Sequence, residues 1–161
     1  MPKVFTSKTQ KIGEIGENIA VKFLVKHNFL ILNRNYTKKW GEIDIVAEKN
    51  NKLYFIEVKS VSRLISDTRD MFKNNVIPAG AKPARQLAGG ALAGRRETPD
   101  DYNPEDNMHP WKLKRLSRII QTYLLSEKIP DEKEWQVDLL VVFLDLKNKK
   151  AKIKVVSDII L

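Results

Sequence analysis

The stretch Gly41-Glu42-Ile43-Asp44-Ile45-Val46-Ala47, with Tyr54-Phe55-Ile56-Glu57-Val58-Lys59 close behind it, decides how this chain is read. Both segments read as strands, over about residues 42–48 and 52–60, and the polar Lys49-Asn50-Asn51 between them suits a short hairpin turn. Side chains alternate along a strand, so Asp44 is expected opposite Ile43 and Ile45. Glu57 and Lys59 are expected to share a face opposite Ile56 and Val58. Two carboxylates and an amine delivered to one place at a strand bend are what a metal-dependent phosphodiesterase needs.

That chemistry requires a water made nucleophilic and a leaving oxygen stabilised as charge develops, and Mg²⁺ does both. Asp44 and Glu57 would supply carboxylates, the Val58 carbonyl a neutral oxygen, and waters the remaining positions, as Mg²⁺ prefers. Lys59 would orient or deprotonate the attacking water, or offset charge in the transition state. Glu17 is placed to reach in from a helix as a further ligand or water-holder. A blander reading stands beside each of these. Glu-x-Lys on a strand is also the pattern of a solvent-facing ion pair worth little, and Glu17 also fits a solvated helix face. Asp44, flanked by apolar residues on the neighbouring strand, shifts the balance toward a site. Glu42 is the weaker acid, because it can pair across the hairpin or with Lys38.

Outward from the hairpin, residues 9–27 read as a helix. Ile12, Ile15, Ile19 and Phe23 form its apolar stripe, Glu17 lies at the stripe's edge beside Ala20 and Leu24, and Asn28 caps the end. Residues 29–36 read as a first strand. No periodicity persists from 64 to 107, a length that in a compact domain marks a functional or disordered segment. Within it, residues 79–96 hold four of the seven glycines and six of the nine alanines, and read as a flexible, basic insertion. Residues 97–106 are acidic and proline-bearing. Pro110 opens a second helix, as suits the first helical position, with Leu113, Leu116, Ile119 or Ile120, and Tyr123 or Leu124 inward. Lys112, Lys114, Arg115 and Arg118 make its early turns basic. Residues 135–146 read as a central strand, apolar on both faces, and 151–156 as a last one. The order α-β-β-β-loop-α-β-β predicts an α/β fold, a mixed sheet flanked by helices.

The 161 residues are expected to form one domain, 1–161. No apolar run is long enough to cross a bilayer, and the start lacks the features of a signal peptide, so a cytoplasmic protein with no membrane partner is expected. Cysteine is absent and the histidines are His27 and His109 alone. That disfavours thiolate and histidine-rich metal sites and leaves an oxygen-held Mg²⁺ or Mn²⁺. The formal charge of +9 suits a polyanionic partner, nucleic acid first among them. A lysine-rich surface that merely confers solubility would carry the same charge. Gly13-x-x-Gly16 lies inside a helix without a following Lys-Ser/Thr, so it does not read as a phosphate loop. His109 reads as a cap or loop residue, His27 as a helix-end cation, and Trp111 and Trp135 as core or rim residues that could also stack on bases.

Gly-Glu-Ile-Asp-Ile-Val-Ala followed by Phe-Ile-Glu-Val-Lys-Ser resembles the YraN-like family of predicted endonucleases, within the PD-(D/E)xK superfamily. The likeness extends to Gly13-x-x-Gly16-Glu17-x-x-Ala20, Asn33-Arg34-Asn35-Tyr36, Lys112 with Arg115-Leu116, Tyr123-Leu124 and Val137-Asp138. It implies a restriction-endonuclease-like core, with Asp44, Glu57 and Lys59 as the catalytic set and Glu17 as the helix acid. The family often has a basic residue two positions beyond the catalytic lysine. Here that position is Val61, and Arg63 is the nearest replacement. The Ala/Gly-rich segment has no counterpart in the family pattern.

These readings converge on a metal-dependent endonuclease acting on DNA, on branched or single-stranded structures of repair or recombination. Lys112, Lys114, Arg115, Arg118 and Arg63 would hold the nucleic acid. Resolvase-like enzymes cut two strands as dimers, so a homodimer is the assembly the resemblance implies, although no seam is legible. The alternatives are a binding module that keeps the nuclease fold without cleavage, and an interaction protein docking through the Ala/Gly-rich segment.

Overall fold

The computed structural model describes residues 7–62, 77–78 and 109–161. Arg63 and the whole 79–96 segment lie outside these. Helix α1 (Lys8–Lys26) starts earlier than its apolar stripe suggests, because Ser7 and Gln10 form a reciprocal capping box. It ends at His27, and Asn28 takes the left-handed conformation that stops the helix (φ 64°).

Strands β1 (Leu30–Lys38), β2 (Gly41–Lys49) and β3 (Lys52–Ser62) form an antiparallel meander. The β2–β3 turn is the two-residue Asn50-Asn51, with φ of 51° and 62°. Asparagine tolerates these positive values, and they give the tight turn a twist matching the strands. Then come the two-residue β4 (Ile77–Pro78), helix α2 (Pro110–Ser126), β5 (Trp135–Asp145) and β6 (Lys150–Ser157). The sheet order is β1-β2-β3-β5-β6-β4. Among the described residues β3–β5 and β4–β6 pair in parallel and the other neighbours antiparallel, so the sheet is mixed, as expected.

Strand β5 is buried from Val137 to Asp145 and lies between β3 and β6. A helix packs on each face. On one, Ala20 and Leu24 of α1 meet Ile45, Ala47, Ile56, Leu140 and Val142. On the other, Leu116, Ile119, Ile120 and Tyr123 of α2 meet Ile43, Val46, Phe55 and Val137. Both isoleucines at 119 and 120 are therefore inside, and Tyr123 rather than Leu124 is the buried member of its pair.

The expected stripe of α1 is rotated. Gly16, Ala20 and Leu24 are buried, whereas Ile15 is 41 % exposed and Ile12, Ile19 and Phe23 only flank the core. Small residues mark where the helix axis comes closest to the sheet, and a hydrophobicity pattern underweights them.

A second correction concerns β2. Ile43 packs with α2 and Ile45 with α1, so they do not share the face opposite Asp44. The strand changes orientation at Asp44. Its ladder with β3 runs from Lys49↔Lys52 only to Ile45↔Ile56, while its ladder with β1 continues to Gly41.

Candidate active site

Beyond Ile45, β2 leaves β3, and a side chain spans the gap: the Val58 N–H donates to Asp44 Oδ2 at 2.7 Å. This bond turns the Asp44 carboxyl toward the middle of β3, where Glu57 stands. Phe55 packs on the α2 face and Ile56 and Val58 on the α1 face, so Glu57 falls on the α2 face. Lys59, half-buried and opposite Val141 in the parallel ladder, shares that face by the same alternation. The meander thus brings Asp44 and Glu57 together, with Lys59 two residues further along β3.

The electrostatics follow from this crowding. Burial, then repulsion from Glu57, pushes the Asp44 carboxyl up to about 8, against the pull of the Val58 N–H. Glu17 and Glu42 add smaller repulsions. Glu17 of α1 is therefore within electrostatic reach of Asp44, at a half-buried helix position beside the buried Gly16 and Ala20. Nearby positive charge relieves such a carboxylate set.

One cation is already present. Lys112, in the first turn of α2, pairs through Nζ with Glu57 Oε1. The sequence placed Lys112 on a nucleic-acid-facing helix, and nothing in its local context signals a partner 55 residues away. Lys114, Arg115 and Arg118 are exposed on the same helix. Arg115 donates from Nε to the Trp40 carbonyl (3.1 Å), and its guanidinium lies 5.8 Å from the centre of the Trp111 ring. Trp40 in turn donates from Nε1 to Thr122 Oγ1 (3.0 Å), a link that the sequence reading did not include.

These elements enclose an open cavity of about 410 Å³, with Asp44, Glu57 and Glu42 on one side and His109, Trp111, Lys112 and Arg115 on the other. His109 is the N-cap of α2 without a side-chain capping bond, and Trp111 is 59 % exposed. Trp135 is half-exposed, with its ring edge-on to Phe55, and lies away from the cavity lining. His27 is committed to the end of α1, where Nδ1 bonds the Phe23 carbonyl (2.7 Å).

Among the described residues no three Asp, Glu, His or Cys side chains converge as a ready metal cage. Asp44 and Glu57 stand as a pair of carboxylates. Two mutually repelling carboxylates, one of them largely buried, fit a hard cation that retains several waters.

A second buried acid lies elsewhere. Asp138, 6 % exposed, accepts at Oδ1 from Gln136 Nε2 (2.7 Å) and from the Asp158 N–H (3.0 Å). Burial raises its pKa, opposed by these bonds. It pairs with Ile56 and faces α1, away from Glu57.

The comparisons with known proteins agree with one another. The model of the family described as "Uncharacterised protein family UPF0102" matches residues 16–78, which include Glu17, Asp44, Glu57 and Lys59. A UPF0102 protein of Alkaliphilus oremlandii is 31 % identical over 144 residues, covering 89 % of this chain and 92 % of that one. One from Caldicellulosiruptor bescii is 28 % identical over 149 residues, 92 % and 96 % of the two chains. A shorter match, to a UPF0102 protein of Campylobacter hominis, reaches 54 % identity over 56 residues, 35 % of this chain and 50 % of that one.

Proposed function

The chain belongs to the UPF0102 (YraN-like) family, and from that premise and the site geometry we propose that it is a metal-dependent endonuclease hydrolysing phosphodiester bonds in DNA. The observation that carries this reading is the Val58 N–H bond to Asp44, which holds that carboxyl beside Glu57 where β2 and β3 part.

Asp44, Glu57 and the Val58 carbonyl are the groups that would hold Mg²⁺ or Mn²⁺. When bound, such an ion acidifies a water and polarises the phosphoryl group. Lys59 would orient an attacking water, or take its proton, as the water oxygen bonds to phosphorus and the ester P–O bond breaks, the departing oxygen taking up a proton. Glu17 holds a water from the α1 side. The ammonium and guanidinium groups of Lys112, Lys114, Arg115 and Arg118 neutralise backbone phosphates, and the charge of +9 raises the local concentration of nucleic acid. Arg63, which lies outside the described residues, would be a further phosphate contact. Branched or single-stranded structures are the proposed substrates. The cytoplasm is the proposed location, consistent with the absence, among the described residues, of a helix long and apolar enough to span a membrane.

The Lys112–Glu57 pair favours a second reading, a nucleic-acid-binding module that keeps the fold without cleaving, because it neutralises one carboxylate internally. One experiment separates the two. Fluorescent junction, flap, duplex and single-stranded DNA and RNA are incubated with protein and Mn²⁺ beside an Asp44→Asn control. Cleavage by the wild type alone supports the nuclease; binding without cleavage by either protein supports the module.

A further inference from the structure

Lysine is an unfavourable choice for the first turn of a helix, where the macrodipole presents positive charge. Helix α2 nevertheless carries Lys112 there, with no acidic residue in that turn and no side-chain cap from His109. What holds the lysine is tertiary: its Nζ is paired with Glu57, whose side chain is 13 % exposed, against 40 % for Lys112. Lys133 offers a contrast, dividing its ammonium between Glu48 (3.0 Å) and Asn51 (2.6 Å). Among the described residues Lys112 has Glu57 alone as acceptor. An ammonium has three donors, so two have no acceptor among the described residues, and Lys112 lines the open cavity beside Trp111 and Arg115.

We propose that Lys112 is an exchangeable internal counter-cation. Its ammonium occupies the place beside Glu57 that a divalent ion takes, and on exchange it passes to a phosphate of the substrate. This rests on the metal-site reading above. Metal entry and phosphate capture are then coupled: the ion frees the lysine, and a phosphate that engages the lysine exposes Glu57 to the ion. Such coupling is reciprocal. Lys112 is accordingly a positioning residue with two alternative anionic partners. Without nucleic acid, it competes with the metal.

The test is Mn²⁺ affinity in the absence of nucleic acid, read from the free Mn²⁺ signal by electron paramagnetic resonance. Lys112→Met should tighten Mn²⁺ binding by about tenfold, the order expected when one charge-assisted hydrogen bond no longer competes. Lys112→Arg keeps a competing cation and should bind like the wild type. Lys114→Met removes the same charge from an exposed position of the same helix and should also leave the affinity unchanged. Thermal melts of all variants report that the fold is intact. If Lys112→Met leaves Mn²⁺ affinity unchanged or weaker while the wild type binds, the exchange is wrong and the metal site stands. If Lys114→Met tightens binding as much, general charge and not the pair is responsible, and the proposal falls. If no variant binds Mn²⁺, both the exchange and the metal-site reading fall.

Discussion

A Cβ at Gly16 would lie 1.8 Å from Ser60 Oγ and 2.9 Å from Ser60 Cβ, so α1 rests directly on β3 at that point. Gly16 sits one residue before Glu17, and Ser60 one residue after Lys59. This contact therefore sets how far the helix acid stands from the strand that carries Glu57 and Lys59. Gly16→Ala should lower stability by about 1–3 kcal/mol, the usual cost of overpacking. Ser60→Ala should be neutral or slightly stabilising by itself, because among the described residues its Oγ is buried without a hydrogen-bond partner. In the double variant the penalty should shrink, and urea melts of the four proteins would show the coupling. Strictly additive effects would contradict the contact.

Asp44 makes stability pH-dependent with a definite sign. Its folded pKa, about 8, lies above the unfolded value of 3.8. The favourable contribution is thus complete below about pH 4 and is lost as pH rises through 8. In chelator-treated protein, Asp44→Asn should gain on the wild type from pH 4 to about pH 8 and then level off. At about 1.4 kcal/mol per pH unit, the gain should reach a few kcal/mol. Melting temperatures across that range provide the measurement, and a pH-independent difference would reject the shift.

The three central residues should separate by phenotype. Asp44→Ala and Glu57→Ala should abolish Mn²⁺ binding in titration calorimetry. Lys59→Ala should bind Mn²⁺ normally and turn over about 10²- to 10⁴-fold more slowly, the range for a lost general acid–base group. Retained metal binding in either carboxylate variant would refute its role as a ligand.

On the α2 surface, Lys114→Ala and Arg118→Ala should each weaken nucleic-acid binding uniformly across sequences. Each should also reduce the slope of log K against log salt by about 0.9 for duplex DNA. Asp44→Asn should instead tighten the metal-free complex above about pH 8, where the Asp44 carboxyl is ionised and faces the phosphates as negative charge. Gel shifts over a salt series would read both effects.

Legibility followed the range of the interactions involved. The β2–β3 hairpin was readable because Asn50-Asn51 and the flanking apolar residues act locally, and Pro110 marked the start of α2 for the same reason. Local periodicity also supplied the face of Glu57, opposite Ile56 and Val58. It failed at Asp44, where Ile43 and Ile45 go to opposite faces because β2 leaves β3. It failed again on α1, where Gly16 and Ala20, not the large isoleucines, occupy the closest approach. The Lys112–Glu57 and Arg115–Trp40 contacts join residues 55 and 75 positions apart, and no window along the chain contains both members.

The parallel ladder of β3 with β5 runs without interruption from Leu53↔Trp135 to Ser62↔Leu144. Glu57 and Lys59 therefore owe their positions to a strand from the far end of the chain. Closing a longer connection costs only about 0.6 kcal/mol per doubling of its length. Evolution can thus lengthen, shorten or replace what lies between Pro78 and His109 at small thermodynamic expense, and the reacting groups need not move. An insertion there is a place where a lineage can acquire new specificity while the chemistry is inherited unchanged.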